Sequence, residues 1–86
     1  MQKVDKDINY FTDDNNLIQE YNRLKKVLKK KDKANVYLFE DEEEGYPERK
    51  FITAEVQRPF PDGIVFISYA TTIEEIIQNI SDYLNY

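Results

Sequence analysis

The sequence predicts an α+β fold in two layers, with the element order α-β-β-β-α. A three-stranded antiparallel meander would carry both helices on one face. Three observations lead there. One helical apolar stripe follows a cluster of capping residues near the start, and a second occupies the C-terminal end. The stretch between them alternates like strands and is punctuated by Gly and Pro.

Residues 1–11 (MQKVDKDINYF) are mixed, and Val4, Ile8, Tyr10 and Phe11 either dock as a short strand or leave a loose N-terminal segment. Thr12, Asp13, Asp14 and Asn15 then offer N-cap side chains. Leu17, Tyr21, Leu24 and Leu28 follow at i, i+4, i+7 and i+11, joined by Ile18 and Val27. Acids at the start and lysines at the end match the helix dipole, which predicts a helix over 14–32. Asn35 to Glu40 (NVYLFE) is β-branched and aromatic and predicts a strand. The acidic run Glu40–Glu44 with Gly45, Tyr46 and Pro47 reads as the connection to the next one. In residues 50–58, Ile52, Ala54 and Val56 alternate with Thr53, Glu55 and Gln57, so one face is buried and the other wet. Pro59-Phe60-Pro61-Asp62-Gly63 ends that strand. Gly63–Ala70 (GIVFISYA) is the most apolar run and is expected at the centre of the sheet. Thr71 and Thr72 precede Glu74 and Glu75, two overlapping capping boxes. Ile73, Ile76, Ile77, Ile80, Tyr83 and Leu84 then mark a helix over 72–84.

At 86 residues the chain is expected to form a single domain, residues 1–86, with one core. It contains no His, Cys or Trp. That removes the ordinary triad, the thiol nucleophile and the usual zinc ligands, and with only two glycines there is no phosphate-cradling loop. The expectation is a protein that is not an enzyme and uses neither cofactor nor metal. Glu40, Glu42, Glu44 and Gly45 echo the start of an EF-hand loop, but Phe51 stands where the bidentate Glu belongs. Absence of cysteine and of an apolar leader segment leads to an expected cytoplasmic location, and no apolar run is long enough to span a bilayer. The abundance of Lys, Asn, Ile and Tyr points to a low-GC bacterium or its phage.

Charge is sorted by position. Residues 1–39 hold nine Lys/Arg against six Asp/Glu, whereas residues 40–86 hold three against eleven, giving +3 and −8 for a net −5. Two patches concentrate it. Glu40, Asp41, Glu42, Glu43, Glu44 and Glu48, beside Tyr46, form an acidic patch. Its plain role is a solvated loop that resists edge-to-edge aggregation; its sharper role is to imitate phosphates before a basic protein. Lys25, Lys26, Lys29 and Lys30 share the outer surface of the first predicted helix. There they offset its dipole, contact nucleic acid or pair loosely with the acids. Tyr46 and Phe60, in segments rich in turn residues, read either as interface anchors or as packing over the core's edge. The sheet face with Phe51, Thr53, Glu55 and Gln57 is a natural docking surface or dimer contact.

The element order is similar to that of the double-stranded-RNA-binding domain. That family grips phosphates with lysines at the start of its last helix, where this chain has Thr71-Thr72-Ile73-Glu74-Glu75, which repel phosphate. A meander followed by Thr72-Ile73-Glu74-Glu75 and an amphipathic helix also resembles the HicB-type antitoxin fold, though that family begins with a strand. The function expected is a small acidic, non-catalytic protein-binding module. Its most concrete form is an inhibitor that blocks a basic nucleic-acid-binding protein by DNA mimicry, as phage anti-defence proteins of the anti-CRISPR type do. That step is analogy from size, acidity and fold type. The alternatives are an accessory protein contacting nucleic acid through the lysine face, and a structural homodimer. No membrane partner is expected.

Overall fold

The computed structural model describes residues 4–85, and its first long helix begins where an aspartate can cap it. Asp14 is extended, and its Oδ1 accepts from the Asn16 N–H at 2.9 Å, satisfying one orphan donor of α1 (Asn15–Asp32). No acid lies inside the first turn, so the favourable charge at this end sits at the cap rather than on the helix. Lys29, Lys30 and Lys31 fill the last turn. The helix stops at Lys33, which is left-handed with φ 54°, while the Ala34 N–H reaches back to the Leu28 carbonyl at 3.2 Å.

β1 (Asn35–Glu43), β2 (Tyr46–Arg58) and β3 (Gly63–Ala70) form an antiparallel sheet in the order β1-β2-β3. α2 (Ile73–Leu84) follows, so the element order and fold class are those expected. Thr72 caps α2 by accepting from the Glu75 N–H at 3.3 Å, so of the two overlapping Thr-x-x-Glu matches the second supplies the N-cap. Register places Val36 opposite Val56, Leu38 opposite Ala54 and Ile52 opposite Ala70. These side chains form the inner face of the sheet. Against it pack Tyr21, Leu24 and Leu28 of α1 and Ile73, Ile76, Ile77 and Ile80 of α2, all buried in one cluster.

Four features differ from the sequence reading. First, β2 and not β3 is central: two tight connections force sequential strands to be neighbours, and β3 is left at an edge. Second, the acidic run is not a loop. Only Glu44 and Gly45 turn, with Gly45 at φ 83°, a conformation that favours glycine, and Glu40–Glu43 lie in β1. Tyr46 and Pro47, expected in the connection, open β2 instead, next to an irregularity between Glu42 and Glu43 that leaves Pro47 outside the ladder. Third, Thr53 is 2% exposed although it points away from the helices. Its cross-strand neighbours are Phe39 and Tyr69, whose larger side chains cover it. Fourth, the N-terminal segment is docked from Lys6 onward. Lys6 bridges to Leu38 across the outer edge of β1, and a short 3₁₀ turn (Ile8–Tyr10) buries Ile8. Residues 1–3 of the segment lie outside the described residues.

Candidate functional site

Beyond the core, the distal halves of β1 and β2 continue as a two-stranded ribbon whose residues from Glu42 to Lys50 are all exposed. Strand alternation divides its acids: Glu40 and Glu42 face one side, Asp41 and Glu43 the other. Residues 40–50 hold six acids and two cations, a local charge of −4.

The proximal acids are engaged. Glu40 Oε1 accepts from the Tyr10 hydroxyl at 3.0 Å, and Lys50 Nζ lies 3.9 Å from the same oxygen. The hydrogen bond to Glu40, and then its charge, hold the Tyr10 hydroxyl above its ordinary pKa. Asp41 Oδ2 accepts from Thr53 Oγ1 at 2.8 Å, which ties the ribbon's base to the central strand. Glu43 pairs with Arg49 at 3.5 Å, and the Arg49 guanidinium lies 4.3 Å from the Tyr46 ring centroid, a cation–π contact at the tip. Among the described residues, Glu42, Glu44 and Glu48 have no cation within ion-pairing distance.

The sequence reading named these acids without their partners. Arg49 and Lys50 come within reach of Glu43 and Glu40 only once the hairpin has formed, Lys50 standing opposite Glu42 in the register. Tyr10 and Thr53 are brought in by contacts that span thirty and twelve residues of chain. Replacing Thr53 with Val keeps the shape and removes the donor. The expected cost is about 1–2 kcal/mol of stability, since the lost bond is to a carboxylate. Urea unfolding of Thr53→Val beside Thr53→Ser measures it; if Ser and Val lose equally, the hydroxyl contributes nothing.

Lys25, Lys26, Lys29 and Lys30 lie exposed on α1, with Lys25 Nζ 5.6 Å from the Tyr21 ring centroid. The loose pairing between these lysines and the acidic run does not form. α1 ends beside the start of β1, and the ribbon's tip lies at the other end of that strand, about 27 Å away along it. Around the end of α1, Asp32 accepts from Arg58 at 2.8 Å and from the Tyr83 hydroxyl at 3.2 Å, clasping both helices to β2.

Among the described residues, no group of three acids converges as a metal-holding set, and the run that echoes an EF-hand is a β-hairpin. Among them, too, no helix is long and apolar enough to cross a membrane.

No family model, characterised protein or solved structure matches the chain significantly. The ribbon thus presents exposed carboxylates with an aromatic–guanidinium pair at its tip.

Proposed function

We propose that the chain is a small, non-catalytic protein-binding module whose acidic ribbon occupies the nucleic-acid groove of a basic protein. One observation carries this reading. Glu40–Glu43 are extended and Glu44 continues them into the turn, so carboxylates alternate between the ribbon's two faces and recur about every 6.8 Å on each. One strand of duplex DNA advances about 3.4 Å along its axis per phosphate, so each face of the ribbon offers one carboxylate for every second phosphate. A loop would scatter these charges; a strand sets them at a regular spacing along two opposite faces. Glu42, Glu44 and Glu48 are the acids left for a partner's Arg and Lys, and Tyr46, backed by Arg49, is the anchor beside them. Blocking of a host defence nuclease by a phage-encoded decoy is the setting that this chemistry suits, by analogy.

The test is a low-salt pull-down from a low-GC bacterial lysate with the native chain and with the triple variant Glu42→Ser/Glu44→Ser/Glu48→Ser. The native chain is expected to retain a nucleic-acid-binding protein that high salt or added duplex DNA releases. The variant should retain it about tenfold less, with its melting temperature shifted by only about 2 °C, because exposed charges add little to stability. Loss of melting temperature in step with loss of binding would defeat the proposal.

A second reading rests on the exposed lysines of α1, which have no carboxylate within ion-pairing distance among the described residues. In that case the native chain recovers nucleic acid itself, and Lys29→Glu/Lys30→Glu abolishes the recovery.

A further inference from the structure

The two edges of the sheet are treated differently. The β1 edge is covered at its middle: Lys6 N–H donates to the Leu38 carbonyl at 2.7 Å, and Tyr10 reaches Glu40 on the same strand. The β3 edge, among the described residues, has no strand or bridge beyond it. β3 also lacks the devices that blunt an edge, since GIVFISYA contains no charged residue and no proline. Exposed apolar side chains gather there. Of seven large exposed hydrophobics in the described chain, Phe60, Ile64, Ile67 and Tyr69 belong to β3 or the turn before it, and Phe60 is 97% exposed.

Beside this edge runs a groove of about 390 Å³, lined by Phe66, Ile67, Ser68 and Tyr69 on one wall and by Asn79, Asp82 and Tyr83 of α2 on the other. Its walls are held in place. Asn79 donates to Ser68 Oγ at 2.7 Å, and Tyr83 stacks on Phe66 with ring centroids 4.6 Å apart. Asp82 is exposed on the rim, accepting from Gln78 at 2.8 Å. Of the residues lining the groove Asp82 is the one that carries charge, and neither β3 nor α2 has a Lys or Arg; Arg58, close to Tyr83, is paired with Asp32 and Asp62.

We propose that the β3 edge and the groove beside α2 receive an extended, basic segment of a partner protein as a fourth strand. Main-chain hydrogen bonds to the open edge supply affinity. Alternate apolar side chains cover Ile67 and Tyr69, and Lys or Arg on the segment meets Asp82. Charge selects this occupant over a second copy of the chain. Self-pairing through β3 would bring the Asp82 side chains of two copies towards one another with no Lys or Arg on β3 or α2 to offset them. The surface lies on the opposite strand of the sheet from the acidic ribbon's leading strand and does not depend on the ribbon's role.

Two blocked nine-residue peptides test it on the full chain: Lys-Val-Thr-Val-Lys-Val-Thr-Val-Lys, and the same peptide with Glu at each Lys. Binding is read by fluorescence anisotropy, and the site by amide hydrogen exchange. The basic peptide is expected to bind, to slow exchange across 63–70, and to leave the β1 amides unchanged. The acidic peptide should bind about tenfold more weakly, and Asp82→Lys should narrow that preference about fivefold with an unchanged circular dichroism spectrum. The Glu42→Ser/Glu44→Ser/Glu48→Ser variant should bind the basic peptide as the native chain does, which separates this proposal from that for the ribbon. Equal binding of both peptides, no binding at millimolar concentration, or loss of binding in the ribbon variant would each overturn it. So would slowing of exchange in β3 with protein concentration alone, which assigns the edge to a second copy.

Discussion

Leu28→Ala is expected to lower the unfolding free energy by about 3 kcal/mol, within the usual range for a fully buried leucine. Leu28 is 0% exposed and sits in the core between α1 and the sheet. Truncation removes the transfer free energy of its methyl groups and leaves a cavity, because neighbours anchored on three elements relax only in part. For 86 residues, the whole stability is about 4–13 kcal/mol, so this single change removes a large share of it. The corresponding fall in melting temperature is roughly 12 °C or more. Leu17, on the same helix but only packed against the core's margin, supplies the control. Leu17→Ala should cost about 1 kcal/mol. Urea unfolding of both variants checks the ranking, and equal losses would mean that the helix is not packed with the face described.

Stability is expected to fall above pH 10 by about 1.4 kcal/mol per pH unit for one buried proton, that of Tyr21. Burial pushes the Tyr21 hydroxyl well above its ordinary value of 10.0, and the charges of Asp7 and Asp5 push the same way. The sign follows from proton counts. Above pH 10 the unfolded chain releases this proton while the folded chain keeps it, so the folded state binds more protons and stability drops as pH rises. The contribution is fully present below the unfolded pKa and is lost on the way to the folded one. Tyr21→Phe preserves the ring and removes the proton. Its stability curve should therefore lie closer to flat between pH 10 and 11, by about 1 kcal/mol across that unit. The lysines titrate in both proteins and cancel in the comparison. Parallel curves for the two would show that Tyr21 is not the group responsible.

Most of the fold was legible because its determinants are local. The stripe Leu17, Tyr21, Leu24 and Leu28 and the stripe from Ile73 to Ile80 each follow the helical period, and Asp14 and Thr72 stand where caps must stand. Ile52, Ala54 and Val56 point inward, as their alternation required. The acidic run was misread because five consecutive charges lack both apolar periodicity and strand propensity. They are extended because β2 pairs with them, a cause outside the run itself.

The candidate surfaces divide in the same way. Composition alone determined that the chain has no imidazole or thiol chemistry, that its acids cluster at 40–48 and that its C-terminal third carries no cation beyond Arg58. Only the tertiary structure decided which acids are engaged: Glu40 by Tyr10 and Lys50, Asp41 by Thr53, Glu43 by Arg49. It also decided that the most apolar strand lies at an edge, where Ile67 and Tyr69 meet solvent. The physical reason is that hydrophobicity records how favourable burial would be, while strand order is set by connection length and pairing. Each charge or apolar side chain is written in the chain; its neighbour across the sheet is not.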